Sequence, residues 1–380
     1  MRLGVYTDYT YRRADGQIYA ERAFALFLGA LADHLDGLVI AGKVHPESGR
    51  ARYRLPAGAE FVELPYYASI ARPAEALGAM ARSLAAFWRL LGDVDGVWLL
   101  GPHPLGLAFA GLAALRRKRI ALGVRQDFPS YVRARHPGSR WIRWAGDLLE
   151  LSWRTLARLV PIVAVGPSLA AAYPHGRTLE IAVSLVTEAD IAGPEVAAAR
   201  SYEASELRVL SVGRLEEEKN PLLLAEVIAL LQADSPRWRL LICGEGPIED
   251  ELRRRLAELG MTDRAELLGY VPHDRGLAEI YRTSHVLLHV SWTEGLPQVL
   301  YEAFAARLPI VATAVGGVAA AAGDAAVLIG PGDAGAAVAA VERICADPDL
   351  RSSLIEAGVA NVSKRTLDAE ARRVAEFLRA

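Results

Sequence analysis

The feature that most constrains this chain is an alternation of short, β-rich apolar runs with longer helical patterns, which occurs in two successive series. Continuous apolar strands separated by helices are typical of parallel sheets covered on both faces. Two such series predict an α/β protein with two Rossmann-like domains. The runs are LGVYT, LVIAG, EFVEL, GVWLLG, IALGV and PIVAVG in the first series, and LRVLSVG, WRLLICG, AELLGYV, VLLHVS, PIVAT and AAVLIG in the second.

The length of the chain and the break between the series predict where one domain ends. A chain of 380 residues exceeds one typical domain. The pattern loosens between Ile181 and Ser205 and then restarts. We therefore expect an N-terminal domain over residues 1–185 and a C-terminal domain over residues 186–365, followed by a last helix within residues 366–380.

The composition narrows the class of protein and its compartment. A hydrophobic fraction of 52% and a charged fraction of 23% are typical of soluble globular proteins. The formal net charge of −2 gives no general reason to expect a nucleic-acid partner. Cys243 and Cys345, the two cysteines, are far apart, which favours a reducing compartment. The start MRLGVYTDYT does not resemble a signal peptide, and no apolar window approaches about 18 residues, so we expect a cytoplasmic protein.

The charge is uneven in the first half of the chain. Residues 116–158 contain eleven Lys and Arg against three Asp and Glu, a local net charge of +8, together with Trp141, Trp144 and Trp153. The interpretation we favour is a helical surface whose tryptophans face the core while its arginines face water. The alternative is a patch for an anionic acceptor or for an anionic lipid surface, that is, a peripheral membrane contact.

Three segments of the second half place polar or flexible residues where strands end, which is where ligands bind in such folds. SVGRLEEEKN puts Arg214 and Lys219 five residues apart after a strand, suited to a diphosphate. The alternative is a solvated turn in which they pair with the three glutamates between them. CGEGP contains Gly244, where backbone can approach a ligand. In LLGYVP, Tyr270 and Val271 lie just beyond a strand and either line a base pocket or form a turn.

A fourth segment, SWTEGLPQVLYEAF, carries two glutamates with seven residues between them, Glu294 and Glu302. Pro297 suits the first turn of a helix. Gly295 and Leu296 are then expected to present free backbone N–H groups to an anion. One carboxylate can accept hydroxyls of a sugar on one side of a diphosphate, and the other those of a ribose on the opposite side. The alternative is one acid at a helix start and one ordinary surface acid.

Together these segments, with IGPGD, resemble the retaining GT-B glycosyltransferases of family 4 across most of the second half. The resemblance implies two Rossmann-like domains that face each other across a cleft, with the last helix crossing back to the N-terminal domain. It also implies a nucleotide-diphosphate sugar as donor. In that case Arg214 and Lys219 hold the diphosphate, Glu294 contacts the donor sugar, Glu302 contacts the ribose, and Gly295–Leu296 meet phosphate or sugar.

The first half resembles the family more faintly. DYTYRRADGQIYAERAF is similar to the family's glycine loop, with Gly16 kept and Gln17 where a second glycine is frequent. His103 follows a strand and is a candidate for catalysis or sugar contact, with a plain loop residue as the alternative. Residues 125–127 read Arg-Gln-Asp where many members have a histidine, and residues 315–324 lack an acid that often follows the paired glycines. The first of these departures affects the expected acceptor side.

The sequence predicts no metal and no cofactor apart from the donor. Asp93 and Asp95 match a metal-binding pattern but precede their strand, and the histidines and cysteines have no ligand spacing. We expect retaining transfer of a sugar to a hydroxyl acceptor, a glycan, lipid or small molecule. The alternatives are a nucleotide-sugar epimerase of the same fold and a non-catalytic sugar-nucleotide-binding protein. An oxidoreductase is disfavoured because no dinucleotide fingerprint follows the first strand of either series.

Overall fold

The structure, a computed structural model, describes residues 1–56, 58–67, 73–136, 138–174, 176–272 and 276–380. Contacts between residues divide the chain into two units. The N-terminal unit contains Met1–Leu185 and Leu367–Ala380, and the C-terminal unit contains Val186–Thr366.

The N-terminal unit is a mostly parallel sheet flanked by helices. Its parallel strands lie in the order β5-β3-β1-β6-β7-β8-β9, and the antiparallel β2 and β4 extend from the second part of β1. The strands are β1 Arg2–Ala14, β2 Gln17–Ala20, β3 Gly37–Val44, β4 Tyr53–Arg54, β5 Ala59–Leu64, β6 Gly96–Gly101, β7 Arg119–Val124, β8 Ile162–Val165 and β9 Thr178–Ile181. The helices are α1 Phe24–Ala32, α2 Pro73–Leu90, α3 Pro104–Leu115, α4 Phe128–Arg135, α5 Arg140–Ala157, α6 Pro167–Ala172 and, from the chain end, α15 Leu367–Arg379.

The segment interpreted as a glycine loop is instead a β-hairpin. Strand β1 continues to Ala14 and pairs antiparallel with β2, with Ala14 opposite Gln17. Asp15 and Gly16 form the two-residue turn, with φ values of 51° and 71°. An Asp-Gly pair at positive φ matches the twist of a two-residue hairpin, so the sequence did contain the signal for this turn.

The C-terminal unit contains an all-parallel sheet among its described residues, in the order β12-β11-β10-β13-β14-β15. This confirms the prediction of an α/β chain with two Rossmann-like sheets. The strands are β10 Leu207–Val212, β11 Trp238–Cys243, β12 Ala265–Gly269, β13 Val286–His289, β14 Ile310–Thr313 and β15 Ala326–Ile329. The helices are α7 Pro194–Ala198, α8 Leu222–Asp234, α9 Glu249–Glu258, α10 Leu277–Thr283, α11 Gln298–Ala305, α12 Val318–Ala322, α13 Ala334–Ala346 and α14 Pro348–Ser363.

The last helix packs in the N-terminal unit, as expected. In α15, Ala371, Val374 and Ala375 are fully buried against the core that contains Phe27 and Leu31 of α1. Apolar residues at positions i, i+3 and i+4 form the stripe that a surface helix buries. The helix therefore belongs to the first unit although the second unit lies between them in sequence.

The prediction that the three tryptophans of the basic segment face the core is only partly correct. Trp153 is fully buried in the N-terminal unit. Trp141 and Trp144, on the same helix α5, are mostly exposed. The segment contains two helices, α4 and α5, and the apolar residues of α5 lie on two opposite sides of that helix.

Candidate functional site

The C-terminal sheet reverses its strand order between β10 and β13. From β10 the chain adds β11 and β12 on one side, and then places β13 on the other side of β10. In an open parallel sheet, ligands bind outside the carboxyl ends of the strands at such a switch point. The segments that leave the sheet there are residues 213–221 after β10 and 290–297 after β13. They carry Arg214, Lys219, Glu294 and the approach to α11.

Lys219 and Glu294 meet directly at the switch point. Lys219 Nζ donates a hydrogen bond to Glu294 Oε1 at 2.6 Å, and Ser291 Oγ donates to the same oxygen at 2.9 Å. The two exit segments are also joined through their backbones, because Trp292 N–H donates to the Glu218 carbonyl at 2.9 Å. Two residues that are 75 positions apart in sequence are thereby held in one place.

The side chain of Glu294 is mostly covered by its neighbours and remains ionised. Its side chain is 9% exposed, and His289 Nε2 lies 3.2 Å from Oε1 without the geometry of a hydrogen bond. Burial alone would raise the pKa of the Glu294 carboxyl, but the neighbouring His289 and Lys219 outweigh burial and lower the pKa to about 2. Glu294 is therefore a fixed acceptor of hydrogen bonds, suited to donor hydroxyl groups, at any pH near neutral.

Arg214 is held by carboxylates of its own turn. Its guanidinium contacts Glu216 and donates a hydrogen bond to Glu218 at 2.9 Å, and its side chain is 59% exposed. Arg214 therefore has the contacts of the alternative in which it pairs with glutamates of a solvated turn. Lys219 does not, because it contacts Glu294 instead. Exposed ion pairs of this kind contribute little free energy, so an anion of higher charge can replace them.

The start of α11 has unused hydrogen-bond donors. Pro297 is the N-cap and Gln298 the first helical residue. Among the described residues, the N–H groups of Gly295 and Leu296 have no acceptor. Backbone N–H groups ahead of a helix, together with the helix dipole, favour an anion at this point.

Two glycines after β14 allow the backbone to pass close to this helix start. A side chain on Gly316 would place its Cβ 1.9 Å from the Glu294 carbonyl oxygen, and on Gly317 1.9 Å from the Gly295 carbonyl oxygen. Gly317 N–H donates to the Glu294 carbonyl at 3.3 Å. The paired glycines therefore fix the backbone of Glu294 and Gly295. The sequence did not predict this contact.

Glu302 lies on α11 and faces α10. Its Oε2 accepts a hydrogen bond from the Tyr281 hydroxyl at 2.7 Å, and the Tyr281 ring is fully buried. Burial, followed by the charge of Glu302, raises the pKa of Tyr281 well above its ordinary value, so this tyrosine stays a donor. The hydroxyl thus orients the carboxylate, which fits Glu302 better than the alternative of an ordinary surface acid.

The segments that follow β11 and β12 lie at the same carboxyl-terminal end of the sheet. Gly244 lies so close to the turn after β10 that an added Cβ would be 1.8 Å from the Gly213 carbonyl oxygen. Tyr270 N–H donates to Glu245 Oε1 at 3.2 Å, and its side chain is exposed. Val271 is half-buried beside it. These residues form a separate part of the same edge, on the far side of β10 from Glu294.

His103, in the N-terminal unit, is buried at the N-cap of α3. The Tyr6 hydroxyl lies 2.9 Å and the Leu105 N–H 3.2 Å from Nδ1, and the Tyr67 hydroxyl lies 3.2 Å from Nε2. Burial lowers the pKa of His103 to about 4, so the ring is neutral near pH 7. A buried helix-cap residue engaged at both nitrogens differs from the plain loop residue of the alternative, and the role of His103 in sugar contact or catalysis stays a prediction.

The residues at positions 125–127 have different roles. Arg125 donates to Asp8 at 2.8 Å and lies over the ring of Tyr9, 4.3 Å from its centroid. Asp127 caps α4 by accepting from the Ser130 N–H at 3.2 Å. Gly16 is in the hairpin turn, where an added Cβ would meet nothing within 4 Å, so its conformation and not crowding favours glycine. The predicted approach of Gly16 to a diphosphate stays a prediction.

Comparison with known proteins agrees with the motifs of the second half. Residues 199–360 match the family model described as Glycosyl transferases group 1. These residues lie within the C-terminal unit. A segment of the chain is 36% identical over 112 residues to the phosphatidylinositol N-acetylglucosaminyltransferase gpi3 subunit of Schizosaccharomyces pombe, covering 30% of this chain and 24% of that protein. It is 36% identical over 105 residues to the amylovoran biosynthesis glycosyltransferase AmsD of Erwinia amylovora, covering 28% of each. The chain thus spans about a quarter of the length of these curated relatives.

Solved structures match over the whole chain at low identity. The crystal structure of Anabaena Alr3699/HepE in complex with UDP aligns with a TM-score of 0.74, 16% identity and complete coverage of both chains. WaaG, a glycosyltransferase involved in lipopolysaccharide biosynthesis, aligns with a TM-score of 0.70, 15% identity and 99% coverage of both. These likenesses confirm the predicted α/β GT-B fold.

Several residues of the C-terminal unit were missed by the sequence reasoning. His289 was considered only as a metal ligand, and Ser291 and Tyr281 were not considered. The signal for His289 and Ser291 was their position at the end of a strand next to the switch point. Among the described residues, no three His, Cys, Asp or Glu side chains form a group that could hold a metal ion.

Proposed function

We propose that this chain transfers a sugar from a nucleotide-diphosphate donor to a hydroxyl acceptor with retention of the anomeric configuration. The observation that carries the proposal is the contact of Lys219 with Glu294 at the switch point, next to the N–H groups of Gly295 and Leu296, which have no acceptor among the residues that the structure describes. A cation, a helix start and a fixed carboxylate are what a sugar diphosphate requires. The UDP bound by the Anabaena structure supports a nucleotide donor.

The donor is held by groups on both sides of its diphosphate. Lys219 and Arg214 bind the phosphates after leaving their present carboxylate partners, and the N–H groups before α11 bind phosphate oxygens. Glu294 accepts hydrogen bonds from the sugar hydroxyls. Glu302, oriented by the Tyr281 hydroxyl, accepts those of the ribose.

The base lies toward the exits of β11 and β12. Tyr270 and Val271 flank it, and Gly244 allows close approach of the backbone. A ligand screen with UDP, GDP and ADP identifies which base binds.

The reaction breaks the bond between the anomeric carbon and the diphosphate oxygen. The acceptor oxygen forms its bond to the same face of the sugar, and its proton passes to the departing phosphate oxygen. Negative charge grows on the diphosphate in the transition state, where Lys219, Arg214 and the start of α11 stabilise it. This electrostatic stabilisation is the role a metal ion has in metal-dependent enzymes.

The acceptor side is proposed for the N-terminal unit, where His103 and Arg125 follow the ends of their strands and Arg125 pairs with Asp8. The acceptor is a hydroxyl of a glycan, a lipid or a small molecule. A cytoplasmic location is supported by the scarcity of cysteines. A peripheral membrane contact through residues 116–158 belongs to the same proposal, because that segment has a local net charge of +8.

A ligand screen followed by a turnover assay tests the proposal. We expect UDP, GDP or ADP, and one matching sugar nucleotide, to raise the thermal midpoint, since a ligand stabilises the state that binds it. With an acceptor extract, the matching donor should yield a product whose anomeric configuration by NMR equals that of the donor. Clean epimer formation from donor alone would favour the epimerase, and binding without turnover would favour a sensor. No shift with any of the nucleotides overturns the donor site.

A further inference from the structure

Helix α5, Arg140–Ala157, is attached to the N-terminal unit by one of its sides. Gly146 packs against Val132 of α4, and Trp153 lies against Gly101 and Gly106. Ala157 is buried on the same side. At about 100° per residue these attached positions fall within a sector of about 40°, which is the core face of the helix.

The opposite side of α5 is apolar and exposed. Trp141, Trp144, Leu148 and Leu151 are 63%, 68%, 48% and 61% exposed. Their spacing of three, four and three residues places them in a second sector of about 80°, centred nearly opposite the core face. A soluble helix usually has polar residues there. We call these four residues the α5 outer face.

The outer face is flanked by positive charge. Arg133 is paired with Asp147, and Arg154 with the buried Glu150. Arg140, Arg143 and Arg158 have no ionic partner among the described residues. With both acids of the helix already paired, the charge left beside the outer face is positive.

We infer that the α5 outer face docks on an anionic membrane surface, with its two tryptophans in the headgroup region and Arg140, Arg143 and Arg158 on lipid phosphates. Tryptophan prefers the membrane–water interface, and an apolar helix face flanked by basic residues is the pattern of helices that lie in that plane. Among the described residues, no helix is long and apolar enough to cross a membrane, so the contact is peripheral.

The charges favour a membrane over a second copy of the chain. A two-fold dimer through the outer face would bring the same unpaired arginines of both copies together, and like charges oppose such an interface. An anionic lipid surface instead attracts each basic residue that reaches it. The inference deepens the membrane contact through residues 116–158 that is part of the proposed function, and it depends on these contacts of α5 and not on the proposed transfer reaction.

Co-sedimentation of the full-length protein with vesicles tests the inference. Vesicles of phosphatidylcholine with one third phosphatidylglycerol should bind the protein, vesicles of phosphatidylcholine alone should bind it at least tenfold more weakly, and high salt should release it. Trp141→Ser with Trp144→Ser should lower the partition coefficient on the order of a hundredfold, from roughly tenfold for each buried side chain. Arg140→Gln with Arg143→Gln should lower it on the order of thirtyfold, from roughly fivefold for each charge.

Two controls on the C-terminal unit match these variants. Leu230→Ser with Leu328→Ser removes exposed apolar side chains elsewhere, and Arg254→Gln with Arg264→Gln removes the same charge from another exposed surface. Neither should change vesicle binding. Quenching of tryptophan fluorescence by brominated lipid gives a second readout, which the Trp141 and Trp144 double variant should lose while keeping the wild-type thermal midpoint.

Two outcomes overturn the inference. Equal binding of the outer-face and control variants would show that the contact lies elsewhere. A dimer in solution that Trp141→Ser with Trp144→Ser converts to monomer, in a protein that does not bind vesicles, would assign the face to a protein interface. Because vesicle binding needs no donor, failure here leaves the proposed transfer reaction unaffected.

Discussion

Polar side chains lie at the carboxyl ends of strands in both units, but the two sets differ in how their hydrogen-bonding groups are paired. In the C-terminal unit, Lys219 and Glu294 pair with each other, while the N–H groups of Gly295 and Leu296 have no acceptor in the part of the chain that the structure describes. In the N-terminal unit, both ring nitrogens of His103 are engaged by tyrosine hydroxyls and a backbone N–H. The first set has donors that an anion can use, whereas the second is already complete. We therefore expect the donor to bind at the first set and His103 to support the strand ends.

The largest effect is expected from removing both cations of the C-terminal set. Arg214→Ala with Lys219→Ala should lower the transfer rate by at least a thousandfold, because each group that stabilises the leaving charge is worth roughly a hundredfold. The measurement is kcat/KM with the matching donor. Arg254→Ala, an exposed arginine of α9, is the control and should keep normal turnover. Wild-type turnover in the double variant would contradict the proposed diphosphate site.

The pH dependence of the unfolding free energy tests the ion pair of Glu294 in the C-terminal set. Since its folded pKa of about 2 lies below the ordinary value of 4.5, its contribution to stability is complete above about pH 5 and is lost as pH falls toward 2. The unfolding free energy of wild type should exceed that of Glu294→Gln by about 3 kcal/mol at pH 7 and by about 1 kcal/mol at pH 3. Urea unfolding at both values measures it. Glu251→Gln, at an exposed position of α9, should show no such change, and a constant difference for Glu294→Gln would contradict the lowered pKa.

A smaller effect is expected at Glu302. Glu302→Ala should weaken donor binding roughly tenfold to a hundredfold, since a hydrogen bond to a charged group contributes about 1.5–3 kcal/mol. Calorimetric titration with the matching nucleoside diphosphate measures the affinity. Tyr281→Phe removes only the hydroxyl that orients Glu302 and should weaken binding less. Unchanged affinity in Glu302→Ala would contradict the ribose assignment.

The smallest effect on donor binding is expected from a substitution of His103. The same substitution tests whether the N-terminal set differs from the C-terminal set in function. His103→Asn should lower the unfolding free energy by about 1–3 kcal/mol, because buried tyrosine hydroxyls lose their partner, and should leave donor affinity unchanged. Tyr67→Phe, which removes one of these bonds, should cost about 1 kcal/mol. Normal stability combined with loss of transfer would instead assign His103 to the chemistry.

The sequence predicted most of the C-terminal sheet because each buried parallel strand is a continuous apolar run, and its motifs follow those runs directly. It did not predict contacts that depend on packing between distant segments. His289 beside Glu294 and the approach of Gly316 to the Glu294 carbonyl need the order of the strands, which local patterns do not contain.

The errors in the N-terminal unit have local causes. The Asp15-Gly16 pair is a sequence signal for a hairpin turn. It was not interpreted as one because the strand before it was expected to end earlier. Trp141 and Trp144 were expected in the core because an amphipathic stripe usually faces it. Helix α5 has two apolar sides, and periodicity alone does not tell which side the domain covers.

Amide hydrogen exchange with and without a nucleoside diphosphate tests the central claim most directly. The claim is that the donor binds at the exits of β10 and β13, where the N–H groups of Gly295 and Leu296 have no acceptor among the described residues. We expect peptides covering residues 213–221 and 291–300 to exchange rapidly in the free protein and to become protected when the matching nucleotide is added. Protection confined to the N-terminal unit, with these two peptides unchanged, would contradict the account.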